Sequence, residues 1–235
     1  MRDYFIYDGI DSRQFGIYAF AKDNDSASNR IYDRMTIPGR SGDILIDGKR
    51  YGSGSVAYSC IIHQQAERHL DDFRNFLLSR TGYRRLEDTI HKEEYYQAAY
   101  METFAPIFDQ ERNRVKFTVS FVRKPQRFLK AGELPIDLSA NATIYNPTYH
   151  PAQPLIRVYG AGTLGMGGET ILIYENASYM DIDCEAMECF RDATSLNKDV
   201  RFDQNDFPTL HPGANGITLS GTISRVIITP RWYKL

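Results

Sequence analysis

The chain of 235 residues is short of nearly everything that marks an enzyme, a membrane protein or a secreted scaffold. It has no apolar run near the ~18 residues that span a bilayer, so no membrane segment is expected. Its formal charge of −2 gives no basic excess to hold nucleic acid or an anionic membrane surface. Three cysteines, Cys60, Cys184 and Cys189, are too few and too scattered for a disulfide framework and fit synthesis in a reducing cytoplasm. Met1-Arg2-Asp3-Tyr4 leads straight into Phe5-Ile6-Tyr7, so no signal peptide is expected. Five histidines lie far apart, and no Ser or Cys neighbourhood resembles a nucleophile elbow.

Aromatic residues are plentiful instead: 16 Tyr and 13 Phe, which together with β-branched residues favour strands. Alternation predicts strands at 4–7, 15–20, 55–62, 84–86, 95–104 and 114–123, with Lys22–Asn29 as a loop and Asp109–Asn113 as a hairpin loop. A helix is predicted over Gln64–Leu78, because Ala66, Leu70, Phe73 and Leu77 share one face; Arg80 suits its C-terminal pole and Gly82 its stop. One helix among strands means an α+β domain with the helix covering a sheet.

Ile37-Pro38-Gly39-Arg40-Ser41-Gly42-Asp43 forces a sharp turn between two alternating stretches, Arg30–Ile37 and Asp43–Tyr51. Such a long, polar two-stranded arm is poorly stable alone in water and needs a partner. The partner expected is a second copy of the chain, with Arg34, Pro38, Gly39, Arg40, Gly42 and Asp43 as subunit-interface candidates. Lys124–Gly132, with Pro125 and Gly132, breaks the strand pattern and sets a domain boundary, giving domains 1–131 and 132–235. The second domain carries short predicted strands at 142–145, 155–159, 163–166, 169–174, 179–182, 216–219 and 224–229, the spacing of an antiparallel β-sandwich or jelly roll.

The sequence motifs that suggest chemistry have plainer readings. Gly160-Ala161-Gly162-Thr163-Leu164-Gly165 spells a dinucleotide fingerprint, but a strand follows where a helix is required, so a Gly-rich turn is expected. Cys184 and Cys189 lack the further ligands of a zinc site. Asp181, Asp183 and Glu185 alternate along one strand face, where paired carboxylates serve glycoside hydrolysis or calcium binding; a solvated outer face explains the same spacing. No catalytic residue, metal site or cofactor is expected.

Several segments resemble the distal tail protein family of siphophages, the long-tailed non-contractile bacteriophages. Phe5-Ile6-Tyr7-Asp8-Gly9-Ile10-Asp11-Ser12-Arg13-Gln14-Phe15-Gly16-Ile17 is similar to that family's opening, and Pro38-Gly39-Arg40-Ser41-Gly42-Asp43 to its Gly-rich turn. Helix 64–78, Arg85-Leu86, Tyr95-Tyr96-Gln97-Ala98 and Phe121-Val122-Arg123-Lys124-Pro125 follow in the same order. Asn146-Pro147, Ala152–Gly160, Tyr179–Glu185 and Asp206–Asn215 extend the resemblance over nearly the whole chain.

The resemblance implies a structural virion protein at the distal end of the tail. A homohexameric ring of N-terminal domains would stack on the tail tube protein and receive the tail-associated hub or lysin protein. C-terminal galectin-like sandwiches would lie on the periphery, holding receptor-binding proteins in some phages. Double-stranded DNA would pass through the lumen without specific binding. The alternative reading is a carbohydrate-binding module contacting cell-wall saccharide through the sandwich. A galectin sugar site uses a Trp platform, yet the one Trp here is Trp232, near the end, and no His-x-Asn-Pro-Arg run occurs.

Overall fold

The computed structural model describes residues 3–25, 28–63, 66–109, 114–174, 178–203 and 206–235. Parts of three expected elements, residues 26–27 and 110–113 of the loops and 64–65 of the helix, lie outside that set. The chain divides into two compact units, Met1–Arg127 with Leu235, and Phe128–Lys234. The fold is mainly β with a single α-helix among the described residues.

The first unit contains β1 (Phe5–Tyr7), β2 (Ile10–Asp11), β3 (Ile17–Asp25), β4 (Arg30–Met35), β5 (Ile44–Tyr51), β6 (Gly54–Ile62), α1 (Ala66–Leu78), β7 (Arg84–Asp88), β8 (Glu94–Ala99), β9 (Ile107–Asp109) and β10 (Arg114–Leu129). Its main sheet runs β2-β1-β7-β8-β10-β6-β3, with β9 also on β10. β10 and β6 pair antiparallel through nine successive residues, from Val115↔Ile62 to Arg123↔Gly54. Alternation therefore sends Val115, Phe117, Val119 and Phe121 to one face, where they are buried with Leu70, Phe73 and Leu77 of α1. The abundant aromatics build this core: Phe5 stacks on Tyr58 at 5.0 Å between ring centres, Tyr7 lies 4.9 Å from Phe121, and Phe104 lies 4.8 Å from Phe117.

Four local expectations are corrected. The strand expected at residue 15 begins at Ile17, because Ser12–Phe15 form a 3₁₀ turn capped by Asp11 and ended by Gly16 at φ 65°. The loop expected from Lys22 begins later, since β3 continues to Asp25 on the long neighbouring β6. The strand expected to reach Phe104 stops at Ala99. The pattern break expected at Lys124 does not occur either: β10 passes through Pro125 to Leu129 before a short 3₁₀ turn at Lys130–Glu133. Pairing with β6 ends at Arg123, so the missing Pro125 N–H falls beyond that ladder and costs it nothing.

The second unit adds β11 (Ile136–Leu138), β12 (Ala142–Asn146), β13 (Leu155–Tyr159), β14 (Gly162–Met166), β15 (Glu169–Ile173), β16 (Met180–Asp183), β17 (Glu188–Arg191), β18 (Thr194–Ser195), β19 (Val200–Phe202), β20 (Gly213–Leu219), β21 (Arg225–Thr229) and β22 (Tyr233–Lys234). Two sheets, β11-β21-β13-β16-β17-β18 and β12-β20-β14-β15-β19, form the antiparallel sandwich. Ile156, Val158, Ile182 and Ile228 of one sheet meet Ile144, Leu164, Ile171 and Ile217 of the other in the core. Two buried asparagines tie the loops to it. Asn146 donates from Nδ2 to the carbonyls of His150 and Leu210, both at 2.9 Å, and accepts from the Thr148 amide and hydroxyl. Asn215 accepts from the His211 amide and donates to the carbonyls of His211 and Gly213. Both belong to segments that carry the family resemblance, and both serve the fold.

Candidate assembly site

The interface candidates lie on a hairpin that stands apart from the main sheet. β4 and β5 pair only with each other among the described residues, as a separate two-stranded sheet. Arg30 clamps Asp47 across the hairpin, and its guanidinium holds the Asp47 carboxyl below the usual carboxylate range. Arg34 sits in β4 opposite Leu45. Pro38, Gly39, Arg40, Gly42 and Asp43 occupy the connecting turn, all exposed. Gly39 and Gly42 have φ of 81° and 85°, which a side chain resists, and the Ile37 carbonyl accepts from the Arg40 amide. Asp43 accepts from the Thr36 hydroxyl at 2.9 Å, which closes the turn. All six candidates thus belong to one exposed element.

The arm is less polar than its charges suggest. Met35 pairs with Ile44, and Asp33 with Ile46, so Ile31, Met35, Ile44 and Ile46 share one face with Asp33. Met35 and Ile46 are 52% and 46% exposed. Each is already about half covered, so complete cover gains about 1 kcal/mol apiece, and this face favours a partner. Reading the arm as polar missed these aliphatics; the alternation Ile31-x-Asp33-x-Met35 and Ile44-x-Ile46 was the available signal.

The main sheet has a second open surface. Opposite α1, the alternate residues of β10, Lys116, Thr118 and Ser120, form the floor of a groove of about 400 Å³. Phe20, Ala105 and Ile107 contribute apolar walls, and the Ser59 and Thr118 hydroxyls approach to 3.4 Å across the floor. Phe20 and Ile107 are 56% and 72% exposed. Nothing in the sequence pattern distinguished this groove, because its residues come from β3, β6, β9, β10 and the stretch before β9.

Two of the three carboxylates singled out in the sequence, Asp181 and Asp183, are committed to ion pairs, and the solvated-face reading fails for Asp181, which is buried. Asp181 takes the Arg157 guanidinium in a two-pronged contact, 2.7 Å on each prong. Asp183 takes Arg231 in the same way and caps the following turn by accepting from the amides of Glu185 and Ala186. Glu185 is exposed and lies 3.7 Å from Arg231. Burial works to raise the Asp183 carboxyl, but Arg231 and the Ala186 and Glu185 amides outweigh it and hold it below its ordinary range. A general acid for glycoside hydrolysis needs the opposite displacement.

The remaining motifs resolve structurally. Gly160 and Gly162 lie under the backbone at 220–222, where an added Cβ would come within 2.1 Å of the Thr222 carbonyl and 2.2 Å of the Ser220 carbonyl. Close chain approach, as expected of a Gly-rich turn, accounts for both. Cys184 and Cys189 are buried free thiols. Trp232 is buried in the sandwich core, so it offers no stacking platform for a sugar. Among the described residues, no group of three or more His, Cys, Asp or Glu stands together to hold a metal ion. No helix among them is long and apolar enough to cross a membrane.

Comparison with protein-family models finds no match, and neither does comparison with curated proteins. Solved structures do match. The Dit (gp 19.1) protein of phage SPP1, described as a paradigm of the hub adsorption apparatus in phages that infect Gram-positive bacteria, superposes with a TM-score of 0.74 at 15% identity, over 100% of both chains. A chain of the phage P2 baseplate in its activated, calcium-containing conformation gives 0.50 at 10% identity, over 97% of this chain and 98% of that one. The fold is that of the phage distal tail and baseplate hub proteins, as the sequence resemblance implies.

Proposed function

We propose that this chain is a structural component of a siphophage tail tip: copies of it close into a ring at the distal end of the tail and join the tube to the host-recognition apparatus. Six copies is the number the family resemblance implies. Residues 1–131 form the ring and 132–235 a galectin-like sandwich at its periphery. Arg34, Pro38, Gly39, Arg40, Gly42 and Asp43 lie on the arm that reaches the neighbouring subunit. The tail tube protein and a hub or lysin protein stack on the ring, receptor-binding proteins dock on its periphery, and DNA passes through the lumen. The role is geometric and not enzymatic.

The observation that carries this reading is the hairpin of β4 and β5, which leaves an aliphatic face uncovered and pairs with no other strand of its own chain among the described residues. The full-length likeness to the SPP1 Dit fold supports it. A heterologous interface of this kind closes into a ring when the rotation between copies fits.

Mass in solution tests the proposal. Six chains of 27.0 kDa sum to about 160 kDa, and light scattering on a concentrated sample is expected to find that species. Deleting residues 34–51 is expected to leave both units folded and to abolish self-association. Rings formed by the deletion variant would overturn the role of the arm.

A further inference from the structure

A ring built by a heterologous contact needs two different, complementary patches on every copy. The arm is one of them, an apolar ridge that its own chain leaves open. The groove on the face of the main sheet opposite α1 has Phe20, Ala105 and Ile107 around the Lys116 and Thr118 floor.

Charge distinguishes this seat. Asp33 puts an anion on the aliphatic face of the arm, and Lys116 puts a cation in the groove. Both side chains are exposed, and neither has an ion-pair partner among the described residues. An anion on the ridge and a cation in the groove fix the register of the contact, and they disfavour the arrangement in which like charges meet.

We propose that this groove is the seat for the arm of an adjacent copy, with Ile31, Met35, Ile44 and Ile46 of that copy covering the apolar walls and its Asp33 meeting Lys116. The inference rests on the ring reading above and deepens it by naming where the arm lands.

Cysteine cross-linking between copies tests it. Ile46→Cys and Ile107→Cys proteins are purified separately, mixed and oxidised. The native cysteines are at most 1% exposed, so only the introduced thiols react. A linked dimer is expected, far more abundant than from Leu45→Cys on the opposite arm face mixed with Ile107→Cys. Asp33→Lys and Lys116→Asp are each expected to weaken self-association about fivefold, and the two together in one chain to restore most of it. Assembly to ring mass with no Ile46–Ile107 link, or with both charge reversals silent, overturns the groove and leaves the ring standing. A protein that neither assembles nor cross-links at any concentration overturns both readings.

Discussion

The Asp183 carboxylate meets the Arg231 guanidinium edge to edge, Oδ1 to Nη1 at 2.7 Å and Oδ2 to Nη2 at 2.9 Å. The pair joins the end of β16 to the stretch just before β22, and Arg231 also donates its backbone N–H to the Gly132 carbonyl from a positive φ of 57°. A carboxylate whose spacing suggested chemistry thus holds the closing segment of the sandwich in place.

That ion pair makes stability depend on acid. The Asp183 carboxyl is depressed in the folded state, so its contribution is complete above its unfolded pKa, about 3.9. It is lost as pH falls through the lower folded value. Asp183→Asn is expected to cost about 2 kcal/mol at pH 7. Thermal melts of the two proteins from pH 7 down to pH 2 are expected to converge at the acid end; a constant gap would show that the charge is not the cause.

Asn146 holds two carbonyls and two donors at the entry to the sandwich. Asn146→Ala removes these bonds and leaves the buried Thr148 amide without its acceptor, while the Leu210 and His150 carbonyls keep the Ala152 amide and the Thr148 hydroxyl, at a cost of about 2 kcal/mol. Urea unfolding followed by tryptophan fluorescence reads this unit directly, because Trp232 is in its core.

Gly160 tests close approach against ligand binding. Gly160→Ala forces the new Cβ against the Thr222 carbonyl and is expected to destabilise the sandwich by about 2 kcal/mol or more. A variant as stable as the parent would remove the structural reason for this glycine.

The aliphatic face of the arm separates assembly from folding. Met35→Ser with Ile46→Ser removes exposed side chains, so the melting temperature is expected to stay within a degree or so. Self-association, measured by sedimentation velocity, is expected to weaken about tenfold or more.

The thiols are expected to be inert while the protein is folded. Burial pushes the Cys189 thiol up to about 12 and raises Cys184 as well, so neither is a thiolate at neutral pH. Reaction with a chromogenic disulfide is expected to follow global unfolding, and rapid reaction of the native protein would contradict the buried placement.

Elements with a strong local period were legible in the sequence. α1 shows its buried face as Leu70, Phe73 and Leu77, and β6 and β10 alternate clearly against each other. The hairpin arm was legible too, because its glycine turn lies between two alternating runs. Elements defined by a distant partner were not. The continuation of β10 through Pro125 was hidden, since proline ordinarily ends a strand, and Asp25 belongs to β3 only because β6 lies beside it. The short strands β17, β18 and β19 carry too few residues to show any period.

What the sequence by itself determined is the set of local instructions: where the chain turns, where it alternates and where its one helical stripe lies. Tertiary structure alone decided the partnerships. Asp181 and Asp183 became the seats of Arg157 and Arg231, and residues from five separate stretches came together as a groove beside Lys116. The physical reason is range: backbone preference and side-chain period act over a few neighbours, whereas ion pairs and surface shape depend on which distant strands the sheet sets side by side.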